Sequence, residues 1–482
     1  MLILALPLSV LAQAAATTVT ITKRAPLEMV TADGTLLGVS DATVGAKMTW
    51  VSTAGSEVTL QDAQGHYYRI AVASTDYVPP VAEAAPSSPR VTPASAPSDN
   101  AQPPTQTAVA AAPSGAISGN DTAPDFGPNV LVFDPTTDPA VIQSKCAAIF
   151  ATQEKNQFGP ERNAILFKPG TYQAKIDVGF YTQVYGLGKL PDDVTINGEV
   201  RTSGDWDNGN CTQNFWRGCE NLAIVPSDEK DMWAVSQAAP FRRVHVKGGL
   251  DLFQVHDGRG GWASGGFMAD CKIDGRVVPG SQQQWFSRNS DWSDWTNGVW
   301  NMVFLGVSNP PQGTWPDKPY TVIEKTPYIR EKPFLYVDDG GHYKVFVPGV
   351  RKDCQGVSWA DGKPVGDSIS LSQFYIAHPE KDSAATLNAA LSSGKNLLLT
   401  PGIYHLNDTV RVTRPETIVL GLGMATLFPE NGKSAMEVAD VSGVKIACIL
   451  FDAGAVTSPV LLQVGEPGSH VSHADNPTFL YD

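Results

Sequence analysis

Ala164 to Gly188 reads AILFKPGTYQAKIDVGFYTQVYGLG, and the chain repeats this plan at Leu397 to Gly423, LLLTPGIYHLNDTVRVTRPETIVLGLG. Pro169-Gly170-Thr171-Tyr172 is answered by Pro401-Gly402-Ile403-Tyr404, and Gly186-Leu187-Gly188 by Gly421-Leu422-Gly423, at nearly the same internal spacing. Each copy follows a helix-like run, Pro139 to Gln153 and Asp382 to Leu391. Repetition on this scale marks stacked architectures, in which one unit cannot bury its apolar face without a neighbour.

Around the first copy, short β-type segments recur at irregular intervals: AILF, TQVYG, DVTING, ENLAIV, FRRVHVKGG, GFMADCKIDG and NGVWNMVFLGV. They lack both the helical crossovers of a doubly wound sheet and tight hairpin turns, so stacked rungs explain them better. The fold class expected is all-β, a right-handed parallel β-helix in tandem, with the helix-like run before the first rung capping the otherwise open end of that stack. The second copy shows the rungs NLLLTPGIY, ETIVLGLG, SAMEVAD, GVKIACILFDAG and PVLLQVG, and they stop sooner than those of the first. The second β-helix is therefore expected to be incomplete and the chain to be a fragment.

Upstream the character changes twice. Residues 17–77 alternate short β runs with the turn signals Ala32-Asp33-Gly34, Ala54-Gly55-Ser56 and Gln64-Gly65, the pattern of a small SH3-like β-barrel. Residues 78–125 are Pro, Ala, Ser and Thr with little to bury, a tether. Residues 1–16 read as a secretory signal, apolar and ending near Ala12-Gln13-Ala14, so export is expected. The remaining divisions are a first β-helix at 126–309, a connector at 310–367 with a hairpin at Asp339-Gly340, and the second β-helix at 368–482.

The 482 residues are 42% hydrophobic and 17% charged, with 44 Gly and 36 Pro, a turn-rich globular composition. A net charge of −14 argues against nucleic acid and anionic membranes, which need clustered Lys and Arg, and favours a neutral substrate. No stretch after the leader is apolar for long enough to span a bilayer. Six cysteines form no disulfide framework; Cys211 and Cys219 are the closest pair, with free buried thiols the alternative. The Gly-x-Gly signals lack the third glycine and helix of a nucleotide loop and read as rung corners. His470 and His473 sit on a loop with no signature of a metal site, while Asp192-Asp193 and Asp338-Asp339 read as solvated turn acids before Ca²⁺ ligands.

The most distinctive segment is Gly280 to Asn301, GSQQQWFSRNSDWSDWTNGVWN, which sets Trp285, Trp292, Trp295 and Trp300 beside Gln282, Gln283, Gln284, Asn289, Asp291 and Asp294. A pyranose stacks its C–H face on an aromatic ring and needs paired donors and acceptors for its hydroxyls. The cluster therefore reads as a sugar site, with Trp285, Trp292, Trp295 and Asp291 as substrate contacts. For each tryptophan taken singly, a core position is the alternative.

With GPNVLVFDP, NAILFKPGTY, QNFWR, WAVSQAAPFRR, SQQQW, NGVWNM, REKPFLY, LLLTPGIYH and VLGLG in hand, Phe126 to Asp482 resembles glycoside hydrolase family 55, nearest its bacterial branch. The resemblance implies two β-helices side by side with a cleft between them, and inverting exo-hydrolysis of β-1,3-glucan with no metal or cofactor. Gln282 and Gln284 match the family's Gln-x-Gln water-positioning pair. Leu305 stands near the expected relay serine, and Ser308 is the nearest serine. By position in the family, the general acid lies beyond Asp482. A monomeric carbohydrate-active enzyme is expected, with wall contact through the SH3-like part. Its rivals are a non-catalytic carbohydrate-binding or attachment protein and, more weakly, a polysaccharide lyase.

Overall fold

The computed structural model describes residues 17–23, 25–30, 36–62, 66–78 and 123–482; the leader at 1–16 and nearly all of the tether at 78–125 lie outside them. The chain divides into two compact units, residues 1–112 and 113–482. In the smaller, six strands form one antiparallel sheet, ordered Thr18–Thr20, Lys47–Ala54, Glu57–Gln61, Tyr67–Ala71, Pro26–Val30, Leu36–Asp41. Val19, Ile21, Val58, Leu60 and Ile70 make its core.

The larger unit is a parallel β-helix, its chain passing rung by rung between a nine-stranded and an eight-stranded sheet. In the nine-stranded sheet, parallel register stacks Ile165, Val184, Cys219, Phe241, Met268 and, after Ser287, Phe304 in one inward column. In the other sheet Tyr172, Ile196, Ile224, Val246, Ile273 and Trp292 stack the same way. Like sits on like because each rung covers the apolar face of the one before it.

The corners between the sheets explain several polar residues. Asn221, Arg243, Asp270 and Asn289 all have φ between 47° and 57°. This left-handed conformation costs a non-glycine residue about 1–2 kcal/mol, offset here by bonds along the column. Asn221 donates to the carbonyls of Gly186 and Gly188, and Arg243 Nε donates to Asn221 Oδ1 at 2.9 Å.

A second parallel stack runs through Phe374–Ala377, Asn396–Leu399, Ile418–Pro429, Lys445–Phe451 and Phe479–Tyr481, with its own core of Leu397, Leu399, Tyr404, Val419, Leu427 and Ile446. The repeated residues do the same work in both copies. A Cβ on Gly170 would meet Pro135 at 2.7 Å and one on Gly402 would meet Pro379 at 2.3 Å, each at positive φ. Tyr172 donates to the carbonyls of Phe133 and Lys168; Tyr404 donates to those of Ala377 and Thr400. Gly186 and Gly421 lie where a Cβ would strike the next rung's corner carbonyl, of Asn221 and Cys448. Helices Pro139–Gln153 and Ala384–Ser392 precede the two copies.

The outer faces of the two stacks are joined by a third core, in which Leu166, Tyr185 and Leu187 meet Leu398, Leu420 and Leu422, closed by Phe334, Tyr336 and Phe346. The latter come from the connector hairpin Phe334–Val337 and Tyr343–Pro348. All six cysteines are free, and Cys211 and Cys219 are each fully buried thiols.

Candidate active site

The outward positions of the nine-stranded sheet build the site. Strands Phe267–Ala269, Gln284–Arg288 and Asn301–Leu305 pair in parallel, and register aligns Phe267 with Phe286 and Val303, and Gln284 with Asn301. These side chains line a groove of about 350 Å³, with Gln237, Gly265, Gly266 and the edge of Trp285. The Phe267 and Phe286 rings stand 5.6 Å apart between centroids, both half-buried. The Gln284 side chain is exposed and carries no hydrogen bond among the described residues, where Asn301 spends only its Oδ1, accepting from Thr321 at 3.2 Å. Ring faces beside free amides suit a neutral polyhydroxyl ligand.

Beside the groove, in the next outward column of the same sheet, lies a buried ion cluster. Arg242 lies 5.1 Å from the Phe267 ring and grips Asp482 through Nε at 2.9 Å and Nη2 at 2.5 Å. Arg288 holds Glu331 with two bonds of 2.6 and 2.7 Å, and Lys332 bridges Glu220 and Asp482. Arg243 with Asp270 completes four cations against four carboxylates. Burial pushes the Asp482 and Glu331 carboxyls up, but Arg242 with Lys332, and Arg288 with Arg242, outweigh it and hold both below the ordinary carboxylate range. The cluster ties one stack to the other, with Gly423 N donating to Gln183 Oε1 at 2.9 Å and Arg162 Nε to Thr426 at 3.0 Å.

Comparison with known proteins now bears on this geometry. A family model described as LAM55 pectate lyase-like domain matches residues 374–482. An exo-beta-1,3-glucanase of Streptomyces sp. (strain SirexAA-E / ActE) is 54% identical over 359 residues, covering 74% of this chain and 58% of that protein. The β-helical part of the chain belongs to glycoside hydrolase family 55. Among solved structures, sacteLam55A from Streptomyces sp. SirexAA-E superposes with a TM-score of 0.71 at 53% identity, over 74% of this chain and 64% of that one. A variant of sacteLam55A in complex with glucose superposes at 0.72 over the same shares. The family 55 chain thus spans about three fifths of the length of the relatives it matches.

The structure divides the segment that the sequence presents as one cluster. Gln284 and Trp285 reach the groove. Gln282 does not: it is fully buried, its Oε1 accepting from Gly265 N at 2.7 Å and its Nε2 donating to the carbonyls of Val235 and Leu252. Both protons of that amide are spent on backbone carbonyls and its oxygen is fully buried against Gly265 N, so Gln282 holds the groove's backbone rather than facing the groove. Trp292 and Trp295 are core and not sugar platforms, because register sets them on Ile273 and Val277, and they are 3% and 4% exposed. Asp291 lies in the same strand of the other sheet, opposite Lys272. Asn289, at φ 47°, turns the chain between sheets and separates these three from Gln284. Trp285 itself is 2% exposed, its indole fitted against Gly266, so it supports the groove more than it covers a sugar.

Ser308 lies past the Gly306 corner, its N–H on Ser290 O, while Leu305 flanks Arg288 on the outer face. Asp192 pairs with His245 and Lys247, Asp338 accepts from Gly340 N and His342 N, and His473 binds Asp440 at 2.6 Å. Sequence reasoning passed over Phe267, Asn301, Arg242 and Glu331. The first two have a legible signal, since Phe267 to Phe286 and Gln284 to Asn301 are each one coil apart. Arg242 and Glu331 have none, because their pairing joins elements far apart in the chain.

Proposed function

We propose that residues 126–482 hold a neutral β-1,3-glucan in this groove and contribute to its inverting exo-hydrolysis. The observation that carries the reading is two half-buried phenyl rings aligned with the amides of Gln284 and Asn301 on one face, in a chain 54% identical to an exo-beta-1,3-glucanase. Gln284 orients water and hydroxyls, and Gln282 acts through Gly265. Inversion needs an acid and a water-activating group about 6.5–9.5 Å apart. Glu331 and Asp482, held ionised by their cations, cannot protonate a leaving oxygen at neutral pH, and the acid is proposed to lie beyond Asp482. Neither metal nor cofactor enters this reading. The arrangement proposed is two right-handed β-helices in tandem, at 126–309 and 368–482, joined by the connector 310–367. The small unit is proposed as an SH3-like barrel contacting the cell wall of an exported monomer.

The test is a laminarin digest by this 482-residue chain beside the protein extended to its natural stop codon, with the anomer of released glucose followed by NMR. α-Glucose from the extended protein alone is the expected result. β-Glucose would refute inversion, and release by the shorter chain would refute the placement of the acid. Laminarin binding without hydrolysis by either would turn the reading to a non-catalytic carbohydrate-binding protein.

A further inference from the structure

Trp262 is 69% exposed, on a backbone that is held from several sides. It follows a two-stranded hairpin, Val255–His256 with Arg259–Gly260, closed by Asp257 and Gly258 at φ 48° and 73°. The preceding Gly261 N donates to Gln254 O at 2.7 Å, and Trp262 O accepts from Cys211 N at 2.7 Å. The loop at Gly204 to Cys211 is packed directly on this hairpin. A Cβ on Gly261 would stand 1.8 Å from Gly209 O, and one on Gly209 would stand 2.5 Å from His256 Cβ. Gln254, 8% exposed, fastens the same loop by accepting from Gly204 N and donating to Asp205.

These loops enclose an open cavity of about 480 Å³ lined by Asn208, Asn210, His256, Asp257, Arg259 and Trp262. Asn210 is spent on Asp207 and Thr212. Asn208 and Arg259 make no side-chain hydrogen bond or ion pair among the described residues, and both are exposed beside the indole. One guanidinium and one carboxylate nearly cancel, so the site offers no net charge to attract an anion. An aromatic face, an amide and a guanidinium with free donors, already ordered before any ligand arrives, fit a neutral pyranose stacked on the indole.

We infer that the Trp262 cavity is a second, non-catalytic contact for β-glucan, which holds a polymer chain outside the groove. The inference rests on the glucan reading of the groove for its ligand class. Ala263 pairs with Gln282, and Gly265 and Gly266 line the groove, so about 10–13 Å of extended backbone separates the two sites. A polymer engages both sites at once, which raises its apparent affinity without a new contact in the groove. A single glucose seated in the groove does not reach Trp262.

The experiment is affinity electrophoresis of the 482-residue chain in gels containing laminarin, with Trp262→Ala, Trp262→Phe and Arg259→Ala, alongside calorimetric titration of the same proteins with glucose. The expected result is at least a fivefold loss of laminarin retention in Trp262→Ala, a smaller loss in Arg259→Ala and partial recovery in Trp262→Phe. Glucose affinity stays within twofold of the parent, and thermal unfolding is unchanged because the indole is exposed. Equal retention of parent and Trp262→Ala overturns the inference, as does a parent that laminarin does not retard at all. Retardation by polygalacturonate in place of laminarin overturns the neutral ligand. Laminarin retention that depends on Trp262 in a chain that does not bind glucose leaves the inference standing and refutes the groove.

Discussion

Glu331→Gln is the substitution that tests the buried ion cluster most directly. The Glu331 carboxylate is 3% exposed, takes two hydrogen bonds from Arg288 at 2.6 and 2.7 Å, and lies 3.5 Å from Arg242 Nη1. The amide keeps the shape but turns a donor toward Arg288, and it leaves four buried cations facing three carboxylates. Removing one partner of a buried pair costs about 3–5 kcal/mol, since the other charge stays desolvated without compensation. That is roughly 10²- to 10³-fold or more in the unfolding constant. Replacing both partners, Arg288→Met with Glu331→Met, leaves no such charge and is expected to restore most of the loss. Urea unfolding followed by tryptophan fluorescence measures all three proteins. Linkage adds a second signature. Burial raises the Glu331 carboxyl, but Arg288 and Arg242 bring it below its ordinary value, so its stabilisation is present in full above about pH 4.3 and is lost as pH falls through the lower folded value. The parent should therefore lose its advantage over Glu331→Gln on acidification. A difference below about 1 kcal/mol at pH 7 would mean that water reaches the cluster and would refute the reasoning.

Gly266→Ala sets a Cβ 2.3 Å from Trp285 Cζ3, so the indole must shift into the groove; a loss of about 1–3 kcal/mol in stability and weaker binding of β-1,3-glucotriose are expected, by thermal unfolding and calorimetry. Gln282→Ala strands Gly265 N and the carbonyls of Val235 and Leu252, which costs at least about 2 kcal/mol, whereas Gln284→Ala should change stability by less than about 0.5 kcal/mol and weaken triose binding. Equal effects of the two on urea unfolding would contradict the division of their roles. The bond from His245 lowers the Asp192 carboxyl to about 2, so the pair's contribution is present in full above about pH 3.9 and is lost as pH falls from there through about 2. With Asp192 half-exposed and screened, His245→Asn should shift the acid unfolding midpoint only slightly, and proton NMR should find the Asp192 carboxyl returned toward its ordinary range.

Much of the architecture is local and therefore legible along the chain. The Pro-Gly-x-Tyr repeat marks a glycine against a proline and a tyrosine capping two carbonyls, and both copies make the same contacts. The helix-like runs, the hairpin near Asp339 and the turn-rich β pattern before the tether likewise depend on neighbours in sequence. The site is different because a parallel β-helix decides by coil length and corner position which residues face inward. Gln282 and Gln284 are two apart, yet pairing with Ala263 buries one and register with Asn301 exposes the other. Trp292 resembles a sugar platform in composition, but stacking on Ile273 makes it core, while Trp262, unremarked in the sequence, is exposed by a hairpin clamped on Gly209. The sequence determined that the chain would coil and that its Pro-Gly-x-Tyr and Gly-Leu-Gly signals would recur in two stacks. Only the tertiary structure decided which rings meet solvent and which charges meet one another, because Arg242 and Asp482, 240 residues apart, come together only when the two stacks close.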